Sequence, residues 1–146
     1  MTVRIFRANG PVHIEFYPKT ASTLISFGEP VYLTTDGRLS PYTPAVAAPF
    51  LGLCKKAITA TDSDYASTTR IPVEVGTYDT EYLFDASTTT AAATDVGEFV
   101  DYVEATVSVN VGSTSANDVY VTQYISGTLV VGKWGRRVTS PGATIE

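Results

Sequence analysis

Catalysis needs reactive side chains at workable spacing, and this chain of 146 residues offers few of them. It has one histidine, His13, and one cysteine, Cys54. A nucleophilic mechanism requires a base beside Ser, Thr or Cys. His13 falls in VHIEFY (12–17), where Val12, Ile14 and Phe16 alternate inward and His13 and Glu15 outward, the setting of a surface histidine. Cys54 closes the apolar run FLGLC (50–54), where burial disfavours a thiolate. Zinc calls for more Cys and His ligands than these two residues supply. Asp62 and Asp64 have the spacing that opens a calcium loop, but the following YASTTR lacks that loop's glycine and further oxygen ligands. The segment TATDSDYASTT (59–69) therefore reads as a solvated turn. No GxxxxGK[ST] or GxGxxG cradle for phosphate is present. The fifteen acids offer many pairs for glycoside hydrolysis, but no pair stands out, and solvated strand faces account for them. The expectation is a protein that is not an enzyme and needs no cofactor or metal.

The elements that would position any site are strands. Val, Thr and Tyr abound, and no eleven-residue window repeats apolar residues at helical spacing without a Gly, a Pro or a Thr cluster. The organising stretch is Ser26 to Ile58. Within it EPVYLT (29–34) alternates, Asp36-Gly37 supplies a turn, and Arg38-Leu39-Ser40 returns until Pro41 and Pro44 withdraw ladder donors. FLGLC follows as a strand buried on both faces. RIPVEV (70–75) turns Ile71, Val73 and Val75 inward, with Pro72 implying an edge position or a bulge. Thr106 to Val111 turns Val107, Val109 and Val111 inward, GSTSAN (112–117) reads as a hairpin loop, and Asp118–Ile125 pairs with Thr128–Val131 across Ser126-Gly127. Turn signals recur roughly every eight to twelve residues. The fold class expected is all-β: a small single-domain β-barrel (β-tulip-like) or sandwich of about nine or ten short strands. Residues 1–11 are either an edge strand of that domain or an extended N-terminal arm able to add to a partner's sheet. Residues 138–146 read as a loose C-terminal tail.

A net charge of −5 and only two short basic clusters, Lys55-Lys56 and Arg136-Arg137, argue against direct nucleic-acid binding. No run approaches membrane-spanning length, and MTVRIFRANG lacks the apolar core of a signal peptide. A single cysteine cannot form an internal disulfide, which fits a reducing compartment. Nine tyrosines are many for this length, and Tyr17, Tyr32, Tyr42, Tyr65, Tyr78, Tyr102 and Tyr120 fall near strand ends or polar faces. They read either as ordinary strand packing or as a wet protein–protein interface. Trp134, between Gly132 and Gly135, reads as a core anchor, with a partner pocket or an exposed sugar platform as the alternative.

FGEPVYLTTDGRLSPYTP (27–44), FLGLCKKA (50–57), RIPVEV (70–75), DVGEFVDYVEA (95–105) and VYVTQYISGTLVVGKW (119–134) together resemble the tailed-bacteriophage capsid decoration, or cement, proteins. That family shows an opening G-[DE]-x-V-x-L-x-x-D-G-x-[LV]-x-P, matched by Gly28, Glu29, Val31, Leu33, Asp36, Gly37, Leu39 and Pro41. The resemblance covers most of residues 26–134 and leaves the N-terminal arm and Ser87–Asp95 unmatched. It implies a homotrimer on the virion surface that binds the major capsid protein at local three-fold positions and stabilises the expanded shell. Assembly would take place in the bacterial host cytoplasm. No catalytic residue carries over. The contact residues expected are Val3, Arg4, Ile5, Phe6 and Arg7 in the arm, and Asp36 and Arg38 at the hairpin tip. The competing reading is a carbohydrate- or receptor-binding β-module of a phage fibre or tail.

Overall fold

A computed structural model describes residues 2–44, 49–77, 79–87 and 89–135. Eleven strands follow one another in chain order: β1 (Arg4–Arg7), β2 (His13–Pro18), β3 (Pro30–Leu33), β4 (Leu39–Pro41), β5 (Gly52–Cys54), β6 (Arg70–Val75), β7 (Glu81–Asp85), β8 (Phe99–Val103), β9 (Ser108–Asn110), β10 (Val119–Ser126) and β11 (Leu129–Trp134). They form two antiparallel sheets, ordered β1-β7-β11-β10-β8-β9 and β2-β6-β5-β3-β4. The architecture is a sandwich and not a closed barrel, which decides between the two all-β forms the sequence allowed. Residues 45–48, Tyr78, Arg136-Arg137 and the tail expected at 138–146 lie outside the described residues.

Local turn chemistry set the hairpins. Thr34 N–H donates to the Arg38 carbonyl at 2.8 Å, and Gly37 takes a φ of +74° that a side chain would oppose. The result registers Leu33 with Leu39 and Val31 with Pro41. Strands β10 and β11 close similarly, with Ser126 opposite Leu129.

Two apolar cores result. One lies between the sheets, where Tyr42, Phe50 and Leu53 meet Tyr82, Phe84, Val100, Tyr102, Val119, Val121, Val130 and Trp134. Trp134 is its hub: Phe50 stacks on it at 4.4 Å between centroids, and Tyr42, Phe84 and Tyr102 present edges at 5.1 to 5.5 Å. The second core covers the other face of the five-stranded sheet, where Ile25 and Ile58 close over Val31, Leu39, Leu51, Cys54, Ile71 and Val73. FLGLC is thus buried on both faces, Phe50 and Leu53 in one core and Leu51 and Cys54 in the other. Gly52 is fixed by space, since a Cβ there would sit 2.4 Å from the Glu74 carbonyl oxygen.

One alternative is decided and three expectations are corrected. Residues 4–7 are not an extended arm but the edge strand of the six-stranded sheet, with Arg4 opposite Leu83 and Ile5 opposite Tyr82. In β2 the faces are reversed: Ile14 and Phe16 are 49% and 57% exposed, while Glu15 and Tyr17 share the face of buried Val73 and Ile71. Alternation separates two faces but does not say which one is covered. Pro72 lies in β6, an interior strand between β2 and β5. It is tolerated because β5 ends at Cys54, so the missing donor falls beyond the paired region, while Lys55 N–H still reaches the Pro72 carbonyl at 3.0 Å. Residues 112–117 do not close a hairpin either, because β8 lies between β9 and β10.

Candidate functional site

The residues proposed for contacts divide between the two sheets. Val3 is buried in the inter-sheet core and is not free to meet a partner, while Ile5 packs half-buried against that core. Arg4, Phe6 and Arg7 are exposed along β1, whose outer edge pairs with no strand among the described residues. A register irregularity between Ile5 and Arg7 sets Phe6 apart, with Arg7's guanidinium 5.9 Å from its ring centroid. Asp36 and Arg38 are exposed at the β3–β4 tip, on the other sheet. The structure therefore keeps the edge strand and the hairpin tip as two separate surfaces.

What sequence reasoning missed is a cross-strand row on the outer face of the six-stranded sheet. Phe99 pairs with Tyr120, and Tyr120 with Lys133. Arg7 pairs with Glu81 at the other end, where their side chains lie 3.7 Å apart. Side chains opposite one another on neighbouring strands point the same way and touch. The row thus runs from a charged half, Arg7, Glu81 and Lys133, to an aromatic half, Tyr120 and Phe99.

Glu81 holds the charged half together. It accepts from Asn9 Nδ2 at 2.9 Å and Thr122 Oγ1 at 2.9 Å. Burial pushes its pKa up, but these hydrogen bonds and the nearby Arg7 and Lys133 charges outweigh it and keep the carboxyl below its ordinary value. Lys133 also reaches Asp79 at 3.4 Å. In the aromatic half, the Phe99 and Tyr120 rings lie 5.1 Å apart at 56°, each more than a third exposed. Together with Lys133, Trp134 and Gly135 they line a cavity of about 260 Å³. Gly135 is needed here, because a Cβ would come within 2.9 Å of the Phe99 ring.

A second exposed surface belongs to β2. Ile14 stands beside Glu74, Glu74 pairs with Lys55 at 3.2 Å, and Lys55 lies 5.2 Å from the Phe27 centroid. Ile14, Phe16 and Phe27 thus frame one ion pair on the part of the five-stranded sheet the other sheet leaves uncovered. His13 lies at this edge, its Nε2 at 2.7 Å from Glu15, whose other oxygen accepts the Tyr17 hydroxyl. That hydroxyl and His13 hold the Glu15 pKa down, while burial and the carboxylate push Tyr17 up to about 12.

The remaining chemistry-bearing residues have structural partners. Cys54 is buried, its pKa raised by desolvation, and its thiol donates to the Lys56 carbonyl. Asp62 accepts Thr59 N–H at 2.7 Å and Asp64 pairs with Lys56 at 3.6 Å. Among the described residues no group of three or more His, Cys, Asp or Glu is gathered as a metal site, and no helix is long and apolar enough to cross a membrane. The tyrosines divide: Tyr42 and Tyr102 are core, Tyr65 donates to Ser22 O, and Tyr120 is exposed. Searches against protein-family models and against curated proteins find no match.

Proposed function

We propose that this chain is a structural virion protein that binds the outer surface of the expanded phage capsid and bridges major capsid subunits. It works as a homotrimer at local three-fold positions, assembled in the bacterial host cytoplasm. The reading comes from the sequence resemblance across residues 26–134. The observation that supports it is β1: an edge strand whose outer side pairs with no strand among the described residues, carrying exposed Arg4, Phe6 and Arg7. Such an edge can add a partner's strand through main-chain hydrogen bonds, with flanking side chains giving selectivity. A shell presents many equivalent sites, so a trimer engaging several of them gains by multivalency even when each contact is weak. None of this needs a cofactor, nucleic acid or a membrane.

Mixing the purified protein with expanded, undecorated capsids tests the proposal. Co-sedimentation at saturating stoichiometry is the expected result. Binding to unexpanded shells alone, or to neither form, overturns it. Light scattering of the free protein then reads whether the mass is three-fold.

A further inference from the structure

We infer that the cavity on the outer face of the six-stranded sheet is a subsite for one neutral hexose ring, with Phe99 and Tyr120 as its stacking platform and Lys133 and Asp79 as its hydroxyl-binding pair. The inference goes beyond the capsid reading and does not rest on it.

A pyranose has an apolar C–H face and a rim of hydroxyls, so it needs an exposed aromatic surface beside a donor and an acceptor. The cavity lining supplies the aromatic surface and the donor, Lys133, and the acceptor is Asp79, which lies outside the lining and pairs with that lysine. Phe99 and Tyr120 are 42% and 38% exposed, unlike the aromatic cluster around Trp134 on the sheet's inner face. Trp134 is only 2% exposed, so it is the core anchor the sequence favoured and not the alternative sugar platform. The rings meet at 56°, and both line the cavity as its shelf. Tyr120 is exposed, and its hydroxyl lies 3.9 Å from where a Cβ of Gly97 would stand.

Beside this shelf the Lys133 ammonium and the Asp79 carboxylate lie 3.4 Å apart. They can donate to one sugar hydroxyl and accept from its neighbour. Asp79 is well exposed, and an exposed ion pair of this kind is held by less than about 1 kcal/mol, so it opens at little cost to a ligand. The charge balance favours a neutral ring over an acidic one, because Lys133 is already offset by Asp79 and by Glu81. A volume of about 260 Å³ falls short of the roughly 300 Å³ at which drug-sized pockets begin, so the site takes one ring rather than a chain.

The test is an amide-resolved NMR titration of the full chain with glucose, galactose and mannose, and with sialic acid as the charged comparison. The expected result is saturable shifts at Gly97, Phe99, Tyr120, Lys133 and Gly135 with at least one hexose, at a Kd on the order of millimolar. Tyr120→Ala and Lys133→Met should each weaken binding at least tenfold, while Phe16→Ala, on the other sheet, should leave it unchanged. If Tyr120→Ala proves unfolded, Lys133→Met alone decides. No saturation by any neutral hexose, saturation by sialic acid only, shifts centred elsewhere, or binding indifferent to Lys133→Met would each overturn the inference.

Discussion

The Asp101 carboxylate accepts the backbone N–H of Asn117, sixteen residues away, at 3.0 Å. The same group accepts from Ala116 N–H, from Ser115 N–H and hydroxyl, and from the Ser113 hydroxyl. One side chain on β8 thus shapes the whole crossing from β9 to β10, and Asn117 takes a left-handed φ of 55° at its end. Such crossings cannot rely on a ladder, so their backbone donors need another acceptor.

This carboxylate should make the protein acid-sensitive. Burial raises its pKa, but the hydrogen bonds from Ser113, Ser115, Ala116 and Asn117 win and hold it at about 2, against an ordinary 3.8. A pKa lower in the folded state gives stability that is complete above the unfolded value and lost as pH falls towards the folded one. Asp101 should therefore contribute about 2 kcal/mol at neutral pH, lost between about pH 4 and pH 2. Urea unfolding of wild type and Asp101→Asn over that range checks it. The variant should be the less stable at pH 7, and the gap should close by pH 2; a gap independent of pH would refute the assignment.

Lys19 is fully buried, and its ammonium donates to the Tyr65 and Ser67 carbonyls at 2.8 and 2.6 Å. It ties the 59–69 loop to the five-stranded sheet. Lys19→Met should destabilise by about 1–3 kcal/mol, since two charge-assisted hydrogen bonds from a buried ammonium are lost. Protease cleavage within 59–69 should rise in the same variant. A more stable variant would mean that the cost of burying the charge exceeds what its hydrogen bonds return.

Trp134 should behave as core. Trp134→Ala should cost about 3–5 kcal/mol, the usual range for emptying a large aromatic site. Trp134→Phe should cost much less, because the indole Nε1 it removes is buried with no hydrogen-bond partner among the described residues. As the chain's single tryptophan, its emission should be blue-shifted in the folded protein and move red on unfolding.

Phe6 should separate stability from assembly. At 40% exposure on an edge strand, Phe6→Lys should change stability by no more than about 0.5 kcal/mol. If β1 meets the shell, co-sedimentation with expanded capsids should fall at least tenfold. Asp36→Lys at the hairpin tip, on the opposite sheet, tests the second surface in the same assay.

Much of the fold was legible because it is local. Strand period, Asp36-Gly37 and Ser126-Gly127 are short-range signals, and both hairpins form where those residues stand. The apolar run at 50–54 also announced burial on both faces. The site was not legible, because its members come from β1, β7, β8, β10 and β11, and no spacing in the chain links Phe99 to Lys133.

By itself, then, the sequence determined an all-β chain with its turns in place and its reactive residues scattered. The tertiary structure decided which faces are covered: Ile14 and Phe16 carry a buried strand's pattern yet stand in solvent, because β2 lies at the rim of its sheet. It also decided that β8 lies between β9 and β10, setting Phe99 beside Tyr120 and giving Asp101 a loop to hold. The physical reason is that alternation is symmetric between two faces, while burial and strand order arise only when segments far apart in the chain pack together.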